Sequence, residues 1–257
     1  MVTADALLEV RDLTKRFAGV QAVDAVSFTV GKGHVHAVIG PNGAGKTTLF
    51  DLITGFQSPT SGEVRLGGRT VTGLPPHRLA ALGVGRTFQT PQICADLTAL
   101  ENVMLGAHLR LGRNPIAAML LPGHIGRRDR ALRDQAAELL AFTGIAGSGD
   151  VPGRALAYGD LKRLEIARAL AAEPRLLCLD EPAAGLNQRE TLELGQLIRR
   201  IAESGMTVML VEHDLRLVMS LSRHIVVLNY GRKIAEGAPG EVERDPEVLS
   251  AYLGTNV

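Results

Sequence analysis

The segment from Gly40 to Thr47 constrains the fold of this chain more than any other feature. It reads Gly-Pro-Asn-Gly-Ala-Gly-Lys-Thr and matches the pattern G-x-x-x-x-G-K-[ST], with the apolar run Val35 to Ile39 before it and helix-compatible residues after it. Such a strand, loop and helix point several backbone N–H groups inward, and the helix dipole adds positive potential. The sequence therefore predicts a phosphate-binding loop (P-loop). The alternative is a glycine-rich turn that carries a lysine by chance.

The residues of this loop have distinct predicted tasks. Lys46 would reach the β- and γ-phosphates of a phosphate chain, and Thr47 would place its hydroxyl on Mg²⁺. Glycines let the loop curl so that its backbone donors face inward. The predicted nucleotide contacts here are Gly40, Asn42, Gly43, Ala44, Gly45, Lys46, Thr47 and Thr48.

A pair of acids follows a second apolar run, Leu176 to Leu179. Parallel sheets bind their ligands at the carboxyl ends of strands, which is where Asp180 and Glu181 fall. Asp180 is predicted to join the Mg²⁺ shell, and Glu181 to position or deprotonate an attacking water. Taken alone, two adjacent acids are also typical of a loop start or a helix cap. The P-loop favours the functional interpretation.

Alternating apolar runs predict the framework around these motifs. Three further strands, separated by segments with helical patterning, favour an α/β fold with a mostly parallel sheet. These strands are Val84 to Phe88, Leu176 to Leu179 and Met206 to Val211. Upstream, Val26, Phe28 and Val30 alternate with polar or small residues before the turn Gly31 to Gly33. This pattern predicts a hairpin that leads into the strand Val35 to Ile39.

A long interruption from Thr90 to Arg154 separates the second strand of the sheet from the third. One predicted helical face in it is followed by Gly144 as a C-cap, and its residues are Leu132, Ala136, Leu139, Leu140 and Thr143. We expect a single domain over residues 1–257. Its core would comprise residues 1–89 and 155–257, with a helical subdomain inserted at residues 90–154.

The last quarter of the chain has clear turn and capping signals. Asp214 is predicted to cap one helix, and Asp245 to cap the last helix with Pro246 at its first position and Gly254 beyond its end. Between these helices, the segments Ile225 to Leu228 and Arg232 to Ala235 flank a predicted turn at Asn229 to Gly231.

Composition excludes several classes of protein. With 46% hydrophobic and 21% charged residues the chain can bury a core, so disorder is not its main state. A net charge of +1, from 28 basic and 27 acidic residues, gives no support to nucleic-acid binding. No apolar run approaches the roughly 20 residues that span a bilayer, and no export signal is recognisable. Cys94 and Cys178 fit neither a disulfide framework nor a metal site, which favours a reducing cytoplasm.

The segment Leu156-Ala157-Tyr158-Gly159-Asp160, together with the helical residues that follow it, resembles the signature of ATP-binding cassette (ABC) ATPases. In that family the signature closes over the γ-phosphate of ATP that a second subunit's P-loop holds. The resemblance implies ATP and Mg²⁺ as cofactors, and nucleotide contacts from Ala157, Tyr158 and Gly159. It also implies a P-loop NTPase fold with an N-terminal antiparallel β subdomain and an inserted α-helical subdomain.

Three further residues match positions with known roles in that family. Phe17 lies where an aromatic stacks on adenine, Gln89 where an amide approaches Mg²⁺ and water, and His213 where a histidine contacts the γ-phosphate. The residues themselves leave plainer interpretations open. Phe17 is equally compatible with a core position, Gln89 with a solvated loop, and His213 with an exposed surface.

Some positions depart from the general family pattern. Ala157 stands where most members have serine, so one hydroxyl to the γ-phosphate is missing, at a cost of about 1–3 kcal/mol if that bond is charge-assisted. Tyr158 and Asp160 replace glycine and glutamine, and Asn187 replaces aspartate. Ala157 and Asn187 are ordinary in one subgroup that this sequence resembles, the LivG-type ATP-binding subunits of branched-chain amino acid importers. The segments Arg86–Gln89, Asp180–Asn187 and Ala251–Gly254 are similar to that subgroup.

The subgroup resemblance implies an ATP-hydrolysing subunit on the cytoplasmic face of the inner membrane. Its expected partners are a second cassette (a LivF-type chain or another copy), two integral permease subunits and, indirectly, a periplasmic solute-binding protein, with no nucleic acid. The apolar residues expected to contact the permeases are Ile93, Leu97, Leu100 and Val103. The arginines between residues 110 and 133 are expected to face lipid headgroups, partner subunits or simply solvent.

Three alternatives remain at this stage. A single cassette can also serve lipid or lipopolysaccharide export. Cassette ATPases of DNA repair and translation usually carry a coiled-coil insertion, a CxxC hook or two fused cassettes, and this sequence has none of these. A small-molecule P-loop kinase would leave the signature and His213 without a purpose.

Overall fold

A six-stranded sheet, parallel except at one edge, positions both predicted motifs. The computed structural model describes residues 6–107 and 122–253, with the backbone alone for 122–128 and 253. The strand order is β10-β9-β3-β8-β7-β6, and only β10 with β9 is antiparallel. The strands are β3 (Val35–Ile39), β6 (Val84–Arg86), β7 (Leu176–Asp180), β8 (Thr207–Val211), β9 (His224–Asn229) and β10 (Arg232–Gly237). The predicted mostly parallel α/β fold is confirmed.

A separate antiparallel sheet is built mainly from the N-terminal residues. Its order is β2-β1-β4-β5, from β1 (Ala6–Phe17), β2 (Val20–Gly31), β4 (Ser61–Leu66) and β5 (Arg69–Thr70). The predicted hairpin between the strand at Val26 and the strand at Val35 is wrong. β2 pairs with β1, whereas β3 lies between β8 and β9 in the other sheet. The turn at Gly33 (φ 70°) therefore carries the chain from one sheet to the other.

Helices pack on both faces of the parallel sheet. They are α1 (Lys46–Ile53), α2 (Pro76–Ala81), α3 (Ala99–Gly106), α4 (Pro122–Phe142), α5 (Tyr158–Ala171), α6 (Gln188–Glu203), α7 (Leu215–Leu221), α8 (Pro239–Val242) and α9 (Pro246–Leu253). Alternate residues of β8 face opposite layers, because side chains alternate along a strand. Met209 packs with Leu49 and Phe50 of α1, and Leu210 packs with Leu197 of α6.

The inserted helical layer has its own small core. Ala136 and Leu140 of α4 and Val103 of α3 are buried against Leu164 of α5, as the predicted apolar face of α4 requires. Gly144 ends that helix with a φ of 84°, which confirms the predicted C-cap. Within the described residues, no helix is long and apolar enough to cross a membrane.

The predicted end of the strand before the insertion needs correction. β6 stops at Arg86, two residues earlier than the predicted Phe88. Thr87 N–H still donates to Cys178 O at 3.0 Å, but Phe88 N–H donates to the Glu165 carboxylate at 3.3 Å. Pairing with the sheet therefore ends before Gln89, and the Glu165 side chain of α5 accepts the next backbone N–H group instead.

The predicted signals near the end of the chain are confirmed. Asp214 Oδ1 accepts the N–H groups of Arg216 and Leu217, and Asp245 Oδ1 accepts those of Glu247 and Val248. β9 and β10 pair antiparallel on either side of the predicted turn. Gly254 lies outside the described residues. Both cysteines are free thiols.

Candidate active site

The P-loop follows β3 directly and leads into α1. Two of its glycines are required by the backbone. A Cβ at Gly40 would lie 2.2 Å from the Leu228 carbonyl oxygen, and a Cβ at Gly45 would lie 2.3 Å from that of Ala22. Gly45 also has a φ of 99°, where other residues are strained. Side chains at these positions would push the loop away from β2 and β9.

The loop borders an open cavity of about 400 Å³. Its lining combines the loop with the start of β2, the β9–β10 turn and one acid: Val20, Gln21, Ala22, Asn42, Gly43, Ala44, Gly45, Lys46, Thr47, Thr48, Glu181, Tyr230 and Gly231. The Lys46 ammonium donates to the carbonyl oxygens of Gly40 (2.8 Å) and Pro41 (2.9 Å). Burial lowers the pKa of Lys46, with Glu181 and Asp180 opposing the shift. A phosphate chain in this cavity would meet the lysine, the loop amides and the N-terminus of α1 together.

Three predicted catalytic side chains meet at one carboxylate oxygen. Gln89 Nε2 donates to Glu181 Oε2 at 2.9 Å, and His213 Nδ1 lies 3.7 Å from the same oxygen. Glu181 follows the last residue of β7 with a φ of 44°, in the left-handed region that non-glycine residues rarely adopt. This turn of the backbone aims its carboxylate into the P-loop cavity.

Asp180 lies deeper than Glu181 and is 3% exposed. Arg86 donates to its Oδ2 at 2.9 Å and, through its other terminal nitrogen, to Asp51 and Thr54 at 2.6 Å each. Burial raises the pKa of the Asp180 carboxyl, and Arg86 opposes the shift. Arg86 thus connects the acid of β7 to the helix that begins in the P-loop.

Two groups of predicted nucleotide contacts, Phe17 and the signature residues, lie apart from this cavity. Phe17 is 42% exposed at the end of β1, with the Lys15 ammonium 4.8 Å from its ring centroid, and it does not line the cavity. Ala157, Tyr158 and Gly159 form the N-terminus of α5, and they do not line it either. A single chain therefore brings together the P-loop, Gln89, Glu181 and His213, while the signature faces elsewhere.

Several buried charged residues near the site were not predicted. Glu212 is fully buried and accepts Ala183 N–H at 2.7 Å and His213 N–H at 3.1 Å, and burial raises its pKa. It follows β8 at the same sheet edge as Asp180. Because parallel sheets bind their ligands at the carboxyl ends of strands, its position after an apolar run could have indicated a site residue. Lys162 and Glu165 of α5 also reach this region. Tyr230, 83% exposed, borders the cavity from the β9–β10 turn.

The permease contacts expected from sequence are only partly exposed. Val103 is fully buried in the core of the helical layer, so the expected permease contact is wrong for this residue. Ile93 and Leu100 are partly buried and pack against the same core. Of the expected arginines, Arg130 and Arg133 are exposed, and Arg133 pairs with Asp129 at 3.0 Å. Arg110 and Arg113, and the side chains of Arg127 and Arg128, lie outside the described residues.

This fold and site define an ATP-binding cassette, and comparison with known proteins agrees. The ABC transporter family matches residues 23–184, and the family described as branched-chain amino acid ATP-binding cassette transporter matches residues 232–257. The chain therefore belongs to the ABC transporter family of ATP-binding subunits. It binds nucleotide and is an ATPase of the kind that powers transport.

Individual relatives match along nearly the whole chain. The high-affinity branched-chain amino acid transport ATP-binding protein BraF of Pseudomonas aeruginosa is 45% identical over 249 residues, which cover 96% of this chain and 98% of the relative. The corresponding LivG protein of Escherichia coli is 40% identical with the same coverage. The predicted family and subgroup are thereby confirmed.

Solved structures of cassettes superpose closely on this chain. A nucleotide-free ATP-binding cassette from an ABC transporter gives a TM-score of 0.82 at 31% identity, covering 96% of this chain and 98% of that one. A cassette in its ADP conformation gives 0.83 at 32% identity, covering 98% and 100%. The predicted fold class is confirmed.

Proposed function

We propose that this chain hydrolyses ATP at the cavity beside the P-loop to drive a branched-chain amino acid importer. The observation that carries the proposal is the meeting of Gln89 and His213 at Glu181, whose carboxylate lines the same cavity as Lys46. In this arrangement Lys46 and the loop amides hold the phosphates. Glu181 takes a proton from the attacking water, and Gln89 and His213 orient that water and the γ-phosphate.

The residues present suit Mg²⁺. Thr47 offers a hydroxyl in the cavity and Asp180 a carboxylate behind it, and such oxygen ligands are the ones this ion prefers. Within residues 6–107 and 122–253 no cluster of three or more His, Cys, Asp or Glu side chains could hold a metal alone. That agrees with an ion that is shared with the phosphates, whose charge it neutralises when bound. Gln89 is hydrogen-bonded to Glu181, which brings its amide close to the same cavity.

We infer that the complete site requires two chains. Ala157, Tyr158 and Gly159 do not reach their own P-loop cavity, and their backbone donors lie at the N-terminus of α5. A second cassette facing this one would place the N-terminus of its own signature helix over the γ-phosphate that this P-loop holds. Phe17 of this chain would lie beside the adenine. The second cassette is a LivF-type chain or another copy.

The substrate and the remaining partners are inferred from the relatives. BraF and LivG are branched-chain amino acid transport ATP-binding proteins, and the last 26 residues match a family of the same description. Two integral permease subunits and, indirectly, a periplasmic binding protein complete the proposed importer. The chain would act at the cytoplasmic face of the inner membrane, with branched-chain amino acids or related small polar solutes as cargo.

Isolation from native membranes tests the assignment. We expect the tagged chain to copurify with two integral membrane subunits and a second cassette, and the complex to hydrolyse ATP when Mg²⁺ is supplied. Uptake of radiolabelled leucine by proteoliposomes carrying the complex and the binding protein would identify the cargo. Copurification with lipid-exporting permeases, or with nucleoprotein alone, would contradict the proposal.

A further inference from the structure

Two buried charged residues lie one turn apart on α5, the helix that begins at the signature. Lys162 and Glu165 are each 2% exposed. Buried charges are costly unless they are paired and hydrogen-bonded. Their hydrogen bonds go mainly to the backbone beside the catalytic side chains, so the helix and the active site are connected directly.

Lys162 joins the two segments that carry the proposed catalytic groups. Its ammonium donates to the carbonyl oxygen of Gln89 at 2.5 Å and to that of Glu181 at 3.3 Å. It also lies 5.7 Å from the ring centroid of Tyr158, the first helical residue of the signature. One cation therefore contacts the signature, the Gln89 backbone and the Glu181 backbone.

Glu165 holds the same segment from the other side. Its Oε1 accepts Gln92 N–H at 3.0 Å and Phe88 N–H at 3.3 Å. Three hydrogen bonds therefore fix this segment: Lys162 donates to the carbonyl of Gln89, and Glu165 accepts the N–H groups of Phe88 and Gln92. These bonds replace the strand pairing that ends at β6.

Burial lowers the pKa of Lys162, and the carboxylates of Glu165, Glu212, Asp180 and Glu181 oppose the shift because they favour its charged form. Its contact with the Glu181 carbonyl lies at the residue whose φ is 44°. A donor at that carbonyl helps to hold a backbone conformation that would otherwise be strained.

We propose that Lys162 and Glu165 are positioning residues for hydrolysis, which fix the backbone of Gln89 and Glu181 so that their side chains meet. This inference rests on the proposed function, because it takes those two side chains as the groups that act on water. Through the same contacts, movement of the signature helix changes the geometry of the hydrolytic site in its own chain.

Lys162→Met in the purified transporter complex tests the first residue. It keeps most of the length of the side chain and removes its donors. We expect kcat for ATP to fall at least tenfold while the Kd for ATP stays within twofold, since Lys46 and the loop are unchanged. Arg189→Met, at a side chain 89% exposed on α6, is the matched control and should leave both values unchanged. If the methionine variant fails to fold, Lys162→Leu serves as the second variant without a donor, with the same expected fall in kcat at unchanged Kd.

Glu165 provides a readout that is independent of activity. Glu165→Gln keeps an acceptor oxygen, whereas Glu165→Leu removes it. In the nucleotide-free complex we expect the leucine variant to accelerate amide hydrogen exchange at Phe88 and Gln92 at least tenfold, and the glutamine variant to stay within about threefold of the wild type. We also expect the glutamine variant to restore most of the kcat that the leucine variant loses.

Two results would overturn the inference. One is a kcat within twofold of wild type in Lys162→Met, and the other is a parallel fall of ATP affinity and kcat, as a general loss of structure would produce. Failure of the proposed function would look different, because Glu181→Gln would then retain turnover. If Glu181→Gln is inactive and Lys162→Met is fully active, only the positioning role is lost.

Discussion

Gln89 Nε2 donates to Glu181 Oε2 at 2.9 Å, which joins the segment after β6 to the residue after β7. The two residues are far apart in the sequence and meet at the edge of the P-loop cavity. This hydrogen bond links the Glu181 carboxylate to the segment that leads into the helical layer.

Glu181→Gln removes the proposed base and retains the shape of the side chain. We expect turnover to fall by about 100-fold or more, because a general base contributes 10²–10⁴-fold, while ATP binding is retained. Steady-state hydrolysis and equilibrium binding of a fluorescent ATP analogue measure the two effects. Normal turnover in this variant would remove Glu181 from the catalytic role.

Lys46→Ala removes the cation that faces the phosphates. Loss of a charge-assisted hydrogen bond of about 1.5–3 kcal/mol should weaken ATP binding roughly 10- to 100-fold. Isothermal titration with ATP measures this directly, with the exposed Arg189→Ala as the control. Unchanged affinity would contradict the phosphate site described here.

Arg86→Met leaves two carboxylates near each other without their shared cation. Asp180 is 3% exposed, and breaking a buried ion pair by removing one partner costs about 3–5 kcal/mol. We expect the free energy of unfolding in urea to fall by that order. The double variant with Asp180→Asn should recover part of the loss, because the uncompensated charge is gone. Equal losses in the single and double variants would argue against the pair.

Acid should destabilise this protein through His36. Burial, and then the neighbouring His224, lower its pKa from 6.5 to about 4, and its neutral Nε2 accepts Gly31 N–H at 3.1 Å. The unfolded chain therefore binds this proton first, so stability is complete above pH 6.5 and falls as the pH drops towards 4. The full effect is about 3 kcal/mol. Urea unfolding of His36→Gln between pH 7 and 5 should show a weaker dependence than the wild type, and equal slopes would exclude this residue.

Ala157→Ser adds a hydroxyl at the N-cap of α5. The alanine there has the extended backbone of a cap (ψ 155°) but no side chain that can accept a hydrogen bond. Serine should stabilise the protein by about 0.5–2 kcal/mol through the amide of Gly159 or Asp160. Ala157→Val, which has no acceptor, is the control. If the missing hydroxyl also limits nucleotide contact, ATP-dependent dimerisation should tighten, and light scattering would detect this.

Local patterns predicted most of the elements and the P-loop. The spacing from Gly40 to Thr47, the acids after Leu179 and the cap at Asp214 each depend on neighbours in sequence, and the structure has the expected local geometry at each. The partner strand of β2 could not be predicted from neighbouring residues. Its strand pattern was visible, but only the complete fold shows that β1 is its partner and that β3 enters another sheet.

The buried charges of the site could not be predicted for a similar reason. A lysine and a glutamate three residues apart on α5 are typical of an exposed helix face, and nothing local distinguishes them. Their burial follows from the packing of α5 against the segment around Gln89. Glu212 is the exception, because it directly follows a strand that the sequence predicted, at the end where site residues are expected. The roles of Phe17 and of the signature stay predictions, and that of the signature depends on a second chain.

The β9–β10 turn is bonded to the P-loop, because Gly231 N–H donates to Ala44 O at 3.0 Å and Gly231 O accepts Asp24 N–H at 2.8 Å. These partners are far apart in the sequence. During synthesis the P-loop therefore emerges well before the turn that supports it. A fragment that stops before Tyr230 would retain the P-loop, Glu181 and His213, but it would lack the two Gly231 hydrogen bonds that support the loop.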